Sequence, residues 1–424
     1  MNLTVYNNKK LKGEITIPAD KSISHRAIIF ASLAKGKSVI ENFSFAKDPQ
    51  SSLNVCKNLG VDVYRDNERL IVDSKGFFKS CSQNLDCGNS GTTMRLMAGV
   101  LAAQNFDATL SGDDSLSKRP MKRIIVPLSL MGANIVSNNF YAPLNIKAAN
   151  LHAIDYDSPI ASAQVKSCIL LAGLYSDGIT TYKEPYLSRN HTEIMLSYMG
   201  ANISYNNGII SIRRSELKPL SIKIFGDISS AAFFIVAALI VPNSEIIIKN
   251  IGLNDTRSGI LKVIENMGAC YEVLDKRDVC GESVGDIKIA YCENLKGCEI
   301  SGGVIPTLID EIPVIALLAS QAEGKTIIKD AQDLRNKESD RIKTTVSELN
   351  KLGINIKETN DGMVIEGKTI ISGGVEVETY KDHRLAMTLY VAGLIAKKEI
   401  MIRDFEWVNI SFPEFEKLML SLLQ

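Results

Sequence analysis

Two kinds of apolar segment alternate along the chain. In the first kind, polar or charged residues introduce a run of apolar and small side chains. The six copies read KSISHRAIIFASLA from Lys21, SGTTMRLMAGVLAA from Ser90, SAQVKSCILLAGL from Ser162, SSAAFFIVAALIV from Ser229, DEIPVIALLASQA from Asp310 and DHRLAMTLYVAGLIA from Asp382. Because these segments are apolar around most of a helical circumference, they predict buried helices rather than amphipathic surface helices.

The second kind of segment places a glycine between the end of a helical stretch and a strand. It reads NLGVDV, LMGANI, YMGANI, NMGACY and KLGINI, with the glycines at Gly60, Gly132, Gly200, Gly268 and Gly353. Glycine accepts the left-handed conformation with which many helices end. Strand-like segments such as KSVIEN and SEIIIKN follow the buried helices, and their alternating apolar residues indicate sheets with one solvated face.

Both patterns return at a step of roughly 70 residues, which predicts six α/β units. One step is longer, and its extra residues, DKRDVCGESVGD (275–286), are predicted to form a polar loop inserted into the fifth unit. A chain of 424 residues is long enough for two or three domains with a large core.

Composition narrows the class of protein. The 48 acidic and 48 basic residues cancel, which argues against a general nucleic-acid binder. The chain lacks an apolar run of about 18 residues, so a membrane span is not expected. Its eight cysteines form no C-x-x-C pair and indicate reduced thiols of a cytoplasmic protein. Its four histidines are far apart in sequence, and no metal site is predicted.

Candidate chemistry gathers where the buried helices begin. Lys21, His25 and Arg26 crowd the start of the first helix, although the partial positive charge of a helix N-terminus disfavours cations. Hydroxyl and amide side chains stand at the second and third helix starts. Unpaired N–H groups and short hydroxyl side chains are natural anion sites. The cations therefore predict a bound phosphate or carboxylate.

Two further stretches carry charge. Arg119 lies beside Pro120 in LSKRPMKR, and RNKESDRIK (335–343) packs Lys337, Glu338 and Arg341 together. On a helix, Lys337 and Arg341 would share a face because they are four residues apart. Asp310 has two interpretations that the sequence leaves open, a helix N-cap or a catalytic base among cations.

At this point the motifs DKSISHRA, GNSGTTMRL, KRPM, SAQVKS, KESDRI and DHRLAM, in this order between residues 20 and 389, resemble those of the 5-enolpyruvylshikimate-3-phosphate synthase family. The resemblance implies an α/β fold of two similar domains, each of three βαβαββ-like repeats around buried helices (an inside-out α/β barrel). One domain would combine residues 1–19 with 227–424, and the other would be 20–226. It places the active site in the cleft between the domains.

The resemblance also implies a reaction. The enolpyruvyl group of phosphoenolpyruvate is transferred to the 5-hydroxyl of shikimate 3-phosphate, by addition and elimination through a tetrahedral intermediate, in the shikimate pathway of aromatic amino-acid biosynthesis. Neither a metal nor an organic cofactor is expected, and the enzyme is expected to be a cytoplasmic monomer without nucleic-acid or membrane partners.

Site residues follow from the resemblance motif by motif. Three are expected to be catalytic: Asp310 as the base for the hydroxyl proton, Glu338 as the candidate acid for the methylene carbon, and Lys21. The residues implied for shikimate 3-phosphate are Lys21, Ser22, Arg26, Ser162, Gln164, Ser188, Asp310 and Lys337. Those implied for phosphoenolpyruvate are Lys21, Gly91, Arg119, Gln164, Arg341 and Arg384.

Some positions depart from the family pattern. Ile410 stands where members often have a lysine, so one phosphoenolpyruvate contact is open, and Ala163 stands where many have a second serine. The segments SAQVK, RNHTE (189–193) and NDTR (254–257) look like a glyphosate-tolerant subgroup, but the subgroup's GDKS is ADKS here and Gly91 is retained, so tolerance is left open.

Two alternatives remain for the function. The sister enzyme that uses UDP-N-acetylglucosamine is expected to carry a Lys-Asn pair in its first motif and usually a cysteine near Arg119. This chain has Lys21-Ser22 and no cysteine between Cys87 and Cys168. A catalytically silent binder should have lost Asp310, Lys21 or Glu338, all of which are present.

Overall fold

A computed structural model describes residues 1–7 and 10–424 of the chain, and these residues form two compact units. The first unit combines 1–18, 225–277 and 283–424, and the second combines 19–224 and 278–282. Both predicted crossings, after residues 19 and 226, lie within two residues of these bounds. Residues 278–282, which the prediction assigned to the domain containing 227–424, belong with the second unit.

Helices recur throughout both units, and the six predicted buried helices are all present. In the described residues the α-helices are α1 Lys21–Leu33, α2 Lys47–Asn58, α3 Gly91–Leu101, α4 Lys122–Leu130, α5 Ala163–Gly173, α6 His191–Tyr198, α7 Ile228–Ile240, α8 Gly259–Asn266, α9 Ile305–Leu308, α10 Ile312–Gln321, α11 Arg341–Lys351, α12 His383–Gly393 and α13 Phe415–Leu422.

Strands lie between these helices and are mostly short. Those of the first half are β1 Leu3–Val5, β2 Lys12–Thr16, β3 Lys35–Glu41, β4 Asp62–Asp66, β5 Arg69–Lys75, β6 Leu85–Asp86, β7 Ala108–Ser111, β8 Asn134–Asn138, β9 Tyr141–Lys147, β10 Asp155–Asp157, β11 Ile179–Lys183, β12 Ile203–Asn206 and β13 Ile209–Arg213. Those of the second half are β14 Ser221–Lys223, β15 Glu245–Gly252, β16 Tyr271–Val279, β17 Glu282–Ala290, β18 Glu299–Ile300, β19 Lys325–Ile328, β20 Asn355–Glu358, β21 Met363–Glu366, β22 Val375–Glu378 and β23 Ile400–Arg403.

The sheets of the second unit repeat one strand pattern three times. Their orders are β14-β3-β5-β4, β6-β7-β9-β8 and β10-β11-β13-β12. In each sheet the first pair is parallel and the next two pairs are antiparallel. Strand β14 comes from the end of this unit and completes its first sheet, so the repeat closes on itself.

The first unit has three sheets as well, with orders β16-β17-β15-β2, β18-β19-β21-β20 and β1-β23-β22. The parallel first pair recurs as β2 with β15, β18 with β19 and β22 with β23. The six α/β units predicted from the period are therefore confirmed, three in each half of the fold.

The repeated glycines do what the sequence predicts. Gly60, Gly132, Gly200, Gly268 and Gly353 all have φ between +84° and +95°, a conformation that a residue with a Cβ atom adopts at a cost. Each ends a helix and turns the chain into a strand. This local rule makes the repeat visible in the sequence.

The predicted helices are buried within their own units. In α7 every residue except Ser230 is buried, and in α12 all residues are. In the second unit α3 packs closely on α5, because a Cβ atom on Gly99 would lie 2.2 Å from the carbonyl oxygen of Cys168. The absent side chain allows the two backbones to touch, which fixes the helix starts relative to each other.

The predicted polar loop at 275–286 is wrong. These residues extend a two-stranded hairpin, β16 and β17, whose turn is Cys280-Gly281. Both turn residues have positive φ, 54° and 85°, as a two-residue hairpin turn requires. Most residues of 275–286 are polar or glycine, so this part of the hairpin resembles a loop in composition.

Within residues 1–7 and 10–424, no single helix is long and apolar enough to cross a membrane. One bent pair, Gly302–Leu308 with Ile312–Gln321, passes that test of length and composition jointly and bends by 113°.

Candidate active site

The start of α1 explains why cations stand there. Asp20 caps the helix, its Oδ1 accepting a hydrogen bond from the backbone N–H of Ile23 at 2.8 Å. Lys21 Nζ donates to Asp48 Oδ2 at 3.0 Å. The cations therefore follow an acidic cap, and the amide of Ile23 is already satisfied by this chain.

His25 is not a third cation at this helix start, as the crowding suggested. Its ring is fully buried, and burial lowers its pKa to about 3, with Lys21 and Arg26 acting in the same direction and Asp48 opposing. Nδ1 lies 2.8 Å from Ser52 Oγ. His25 is a neutral core residue.

Arg26 is buried and held by acceptors from three helices. Its Nε donates to Thr192 Oγ1 at 2.8 Å, Nη2 donates to Ser167 Oγ at 3.0 Å, and Nη1 donates to the carbonyl oxygen of Ser22 at 3.0 Å. The guanidinium is therefore fixed in place by neutral groups rather than by a carboxylate among these contacts.

The start of α5 brings together the expected residues Ser162 and Gln164. Ser162 occupies the N-cap position but makes no side-chain capping hydrogen bond. Gln164 Oε1 accepts from Arg95 Nη1, and Gln164 Nε2 donates to Thr92 Oγ1 at 2.9 Å. Arg95, which the sequence did not single out, therefore orients the Gln164 amide.

Gly91 and Arg119 lie around the start of α3. A Cβ atom on Gly91 would meet Arg95 Nη1 at 2.7 Å, so a side chain there would displace the group that holds Gln164. Arg119 Nη2 donates to Asn89 Oδ1 at 2.8 Å. The structure thus brings Gly91 and Gln164 together through Arg95.

Ser188 is engaged by Glu184. Its hydroxyl donates to Glu184 Oε2 at 2.7 Å and its amide donates to Glu184 Oε1 at 2.8 Å, and the residue is 2% exposed. A phosphate needs donors, so Ser188 would have to release Glu184 to serve one. Its assignment to shikimate 3-phosphate stays a prediction.

In the first unit, Asp310 is surrounded by cations. Oδ1 lies 3.3 Å from Arg341 Nη1 and 3.5 Å from Lys337 Nζ. Oδ2 lies 4.0 Å from Arg257 Nη1 and from Arg384 Nη2. The N-cap position of α10 is Glu311 rather than Asp310, so the N-cap interpretation of Asp310 is wrong, and its role as a base stays a prediction.

Arg341 is the most enclosed of these cations, with its side chain 2% exposed. Nε donates to Asp382 Oδ2 at 2.7 Å, and Nη2 donates to Glu338 Oε2 at 2.6 Å. Burial disfavours the guanidinium charge, but Asp382, Glu338 and Asp310 outweigh burial and raise the pKa of Arg341.

Lys337 and Arg341 do not share a helix, as their spacing suggested. Lys337 follows a short 3-10 helix, Gln332–Asn336, and α11 begins at Arg341 with Asp340 as its cap. The capping bond from the Lys343 amide to Asp340 Oδ1 starts a new helix between the two cations. Both nevertheless reach Asp310 Oδ1.

Two further carboxylates, Asp227 and Asp382, accept hydrogen bonds from residues of this charged set. Asp227 Oδ1 accepts from Arg257 Nη2 at 2.8 Å and from the Ser229 amide at 2.9 Å. Burial raises the Asp227 pKa, but Arg257 and Arg384 outweigh it and bring the pKa to about 2. Asp382 accepts a hydrogen bond from the Arg384 amide at 2.9 Å. Burial raises the pKa of Asp382, but the charge of Arg341 opposes burial and the pKa is lowered.

The sequence had not assigned Arg257, Asp227 or Asp382 to the site. A signal was available, because Arg257 belongs to NDTR, and Asp227 and Asp382 immediately precede buried helices. No group of three or more metal-ligating side chains that could hold an ion is found within the described part of the chain.

Comparisons with known proteins identify the family. A sequence model of EPSP synthase (3-phosphoshikimate 1-carboxyvinyltransferase) matches residues 5–419. The chain belongs to the EPSP synthase family. The fold predicted from the motifs is confirmed by this membership and by the solved structures below.

Relatives cover the chain from end to end. The 3-phosphoshikimate 1-carboxyvinyltransferase of Thermodesulfovibrio yellowstonii is 54% identical and covers 100% of both chains. That of Thermoanaerobacter sp. is 51% identical over 98% of this chain and 99% of its own. The EPSP synthase structure from Acinetobacter baumannii has a TM-score of 0.89 at 39% identity, covering 100% of this chain and 98% of that one.

A more distant structure shares the fold alone. The enolpyruvyl transferase NikO from Streptomyces tendae has a TM-score of 0.81 at 17% identity, over 99% of this chain and 97% of that one.

Proposed function

We propose that this chain transfers the enolpyruvyl group of phosphoenolpyruvate to the 5-hydroxyl of shikimate 3-phosphate and releases phosphate. Its membership of the EPSP synthase family supports the reaction. The observation that carries the chemistry is Asp310, a partly exposed carboxylate within 4.0 Å of Arg257, Lys337, Arg341 and Arg384.

The residues of the second unit suit binding of shikimate 3-phosphate. Lys21, Ser22 and Arg26 of α1, with Ser162 and Gln164 at the start of α5, supply cations, hydroxyls and an amide. Ser162 is suited to a phosphate because its hydroxyl makes no capping bond, and it stands at a helix N-terminus. Lys337 and Asp310 of the first unit are assigned to the hydroxyl groups of the ring.

Phosphoenolpyruvate carries a phosphate and a carboxylate, so its site must neutralise charge. Lys21, Arg119, Arg341 and Arg384 are the proposed cations, and Gln164 is a proposed donor. Gly91 allows close approach of the ligand to the backbone. Arg341 already serves Asp382, Glu338 and Asp310, so it would bind the ligand by exchanging at least one of these partners.

The mechanism assigns one proton transfer to each of two carboxylates. In the addition step, Asp310 accepts the proton of the 5-hydroxyl while the hydroxyl oxygen bonds to C2 of phosphoenolpyruvate. The methylene carbon of phosphoenolpyruvate gains a proton. Glu338 is the proposed donor of that proton, and Lys21 is the third residue that we propose to be catalytic. The tetrahedral adduct then returns a methyl proton to the carboxylate of Glu338 and expels phosphate, which re-forms the C=C bond as the enol ether of the product.

Glu338 must be protonated before it donates. Its ion pair with Arg341 Nη2 at 2.6 Å favours the carboxylate form. A ligand carboxylate or phosphate that takes over Arg341 would remove this stabilisation. Binding of phosphoenolpyruvate and proton uptake by Glu338 are thus linked in the proposed mechanism.

The setting of the enzyme is a separate proposal. We propose that the protein is cytoplasmic, because its eight cysteines are unpaired thiols, as in a reducing compartment. That it is a monomer stays a prediction. No nucleic-acid or membrane partner is part of the proposal.

The test is phosphate release from phosphoenolpyruvate by the purified protein, with shikimate 3-phosphate or UDP-N-acetylglucosamine as acceptor. Release with shikimate 3-phosphate alone is expected. Release with UDP-N-acetylglucosamine instead would assign the chain to the sister reaction. Release with neither, from folded protein, would leave ligand binding without turnover and overturn the proposal.

A further inference from the structure

The first turn of α6 makes three buried contacts from three consecutive residues. His191 Nδ1 lies 2.6 Å from Glu282 Oε1, Thr192 Oγ1 accepts from Arg26 Nε at 2.8 Å, and Glu193 Oε1 lies 2.8 Å from Lys166 Nζ. All six residues lie within the second unit. The segment RNHTE (189–193) therefore binds α6 to neighbouring elements inside this unit, and none of its own residues has a role in the proposed reaction.

Thr192 and Ser167 both accept hydrogen bonds from the Arg26 guanidinium. Their hydroxyl oxygens are 2.6 Å apart, and both residues are 0% exposed. Ser167 Oγ also donates to the carbonyl oxygen of Ala163 at 2.6 Å, which settles the direction of its proton. Its lone pairs are then available to Arg26 Nη2 and to the Thr192 hydroxyl.

The position of Thr192 itself is fixed through its neighbour Glu193. Lys166 is 0% exposed, and its Nζ contacts Glu193 Oε1 at 2.8 Å, Glu184 Oε1 at 3.0 Å and the carbonyl oxygen of Ser188 at 2.9 Å. A buried ammonium must keep its partners, because an unpaired charge in the core is costly. Lys166 therefore ties α6 and the 184–190 loop to α5.

These contacts link two sequence motifs that the proposed reaction left unexplained. The lysine of SAQVK binds the glutamate of RNHTE, and the serine after that lysine binds the threonine of RNHTE. We propose that Thr192 and Ser167 are positioning residues for Arg26, with the Lys166–Glu193 pair holding Thr192 in place. The inference rests on the proposed function of Arg26 as a ligand of shikimate 3-phosphate.

The decisive variant is Thr192→Val, which keeps the shape and removes the acceptor of Arg26 Nε. We expect KM for shikimate 3-phosphate to rise roughly tenfold to a hundredfold, the range for a hydrogen bond to a charged group. The KM for phosphoenolpyruvate at saturating shikimate 3-phosphate should stay within about twofold. Thr192→Ser, which restores the hydroxyl, should recover most of the loss.

The matched control is Thr180→Val. Thr180 is also 0% exposed and lies in β11 of the same unit, with its hydroxyl 3.3 Å from Ser176 Oγ. It should leave both KM values unchanged. Equal losses in Thr180→Val and Thr192→Val would show a general packing effect and overturn the assignment.

A double-mutant cycle with Arg26→Ala tests whether Thr192 acts through Arg26. If it does, Thr192→Val adds little in the Arg26→Ala background, whereas additive losses contradict the inference. Should Thr192→Val fail to fold, Ser167→Ala supplies the same cycle. If the wild-type protein turns over shikimate 3-phosphate and Thr192→Val has the same KM, this inference alone is overturned. If the wild-type protein shows no turnover, the proposed function is overturned.

Discussion

The two units use the same repeated framework for site residues of different character. In the second unit the buried Arg26 is held by two hydroxyls and a carbonyl, and Arg95 and Arg119 contact the side-chain amides of Gln164 and Asn89. The first unit presents a dense set of charges around Asp310 and Arg341. One repeat can therefore supply hydrogen-bond recognition or charge chemistry, depending on the residues at its helix starts.

The helix starts also differ in what satisfies them. Of the six core helices, α1, α3, α7 and α12 are capped by their own Asp20, Ser90, Asp227 and Asp382. Helices α5 and α10 have no side-chain cap. Where a side chain caps a helix, one of its N-terminal amides is already satisfied, which limits the original expectation of several anion-binding helix ends.

The largest expected effect is loss of turnover in Asp310→Asn. The variant keeps the shape but cannot accept the hydroxyl proton, so kcat should fall roughly 100- to 10,000-fold. Shikimate 3-phosphate should still bind, as measured by calorimetry. Asp275→Asn is the control, an exposed carboxylate paired with Arg277 in the same unit. Near-normal turnover in Asp310→Asn would contradict the role of Asp310 as a base and would mean that the charges around it serve the structure of the first unit.

The second effect concerns stability of the charged set. Arg341→Met leaves Asp382, which is 0% exposed, without its buried cation. We expect the free energy of unfolding to fall by about 3–5 kcal/mol in urea titrations. The comparison variant is Arg403→Met, which removes a surface cation paired with Glu378 and should cost less than about 1 kcal/mol. Equal costs would mean that the buried charges are no more demanding than the exposed ones.

The third effect distinguishes the units by pH. His25 of the second unit has a folded pKa near 3 against 6.5 in the unfolded chain, so the unfolded state binds a proton first on acidification. Stability should therefore fall by about 1 kcal/mol per pH unit below 6.5, the unfolded value. Asp227 of the first unit acts later, because its stabilisation is lost only as pH falls from 3.8 to about 2.

Unfolding free energies of His25→Asn between pH 7.5 and 4.5 check this prediction. The variant should lose most of the acid-dependent slope. His152→Asn, at an exposed histidine of the same unit, should keep it. An unchanged slope in His25→Asn would place the acid sensitivity elsewhere.

The smallest effect compares two serines at helix starts. Ser90 caps α3 through the Thr93 amide at 3.1 Å, whereas Ser162 makes no capping bond. Ser90→Ala should lower unfolding free energy by about 1 kcal/mol. Ser162→Ala should hardly change stability but weaken shikimate 3-phosphate binding. The reverse pattern would mean that Ser162 is structural.

Much of the fold could be predicted because it follows from local rules. Gly60 and its equivalents end helices through their own backbone conformation, and apolar segments such as that of α7 reveal their burial by composition. The hairpin at 271–290 was missed because the residues around its turn are mostly polar and have the composition of a loop.

The sequence motifs identified several residues of the charged cluster around Asp310, but they did not indicate which side chains pair with each other. Asp310, Arg341 and Glu338 were identified from motifs and lie together. Their partners Asp382 and Arg257, like Thr192 for Arg26, are distant in sequence and neutral or oppositely charged, so no spacing rule connects them. The assumed helix through Lys337 and Arg341 failed because Asp340 caps a new helix.

The pairing of strand β1 affects the order in which the two units can fold during synthesis. Leu3 pairs with Ile402, so β1 joins its sheet only after the chain has been translated as far as residue 402. At roughly 5–20 residues per second, that wait is about 20–80 s. Strand β14 supplies the sheet partner of β3 much earlier, by residue 223. During synthesis the second unit can thus assemble its three sheets while the N-terminal strands of the first are still without partners.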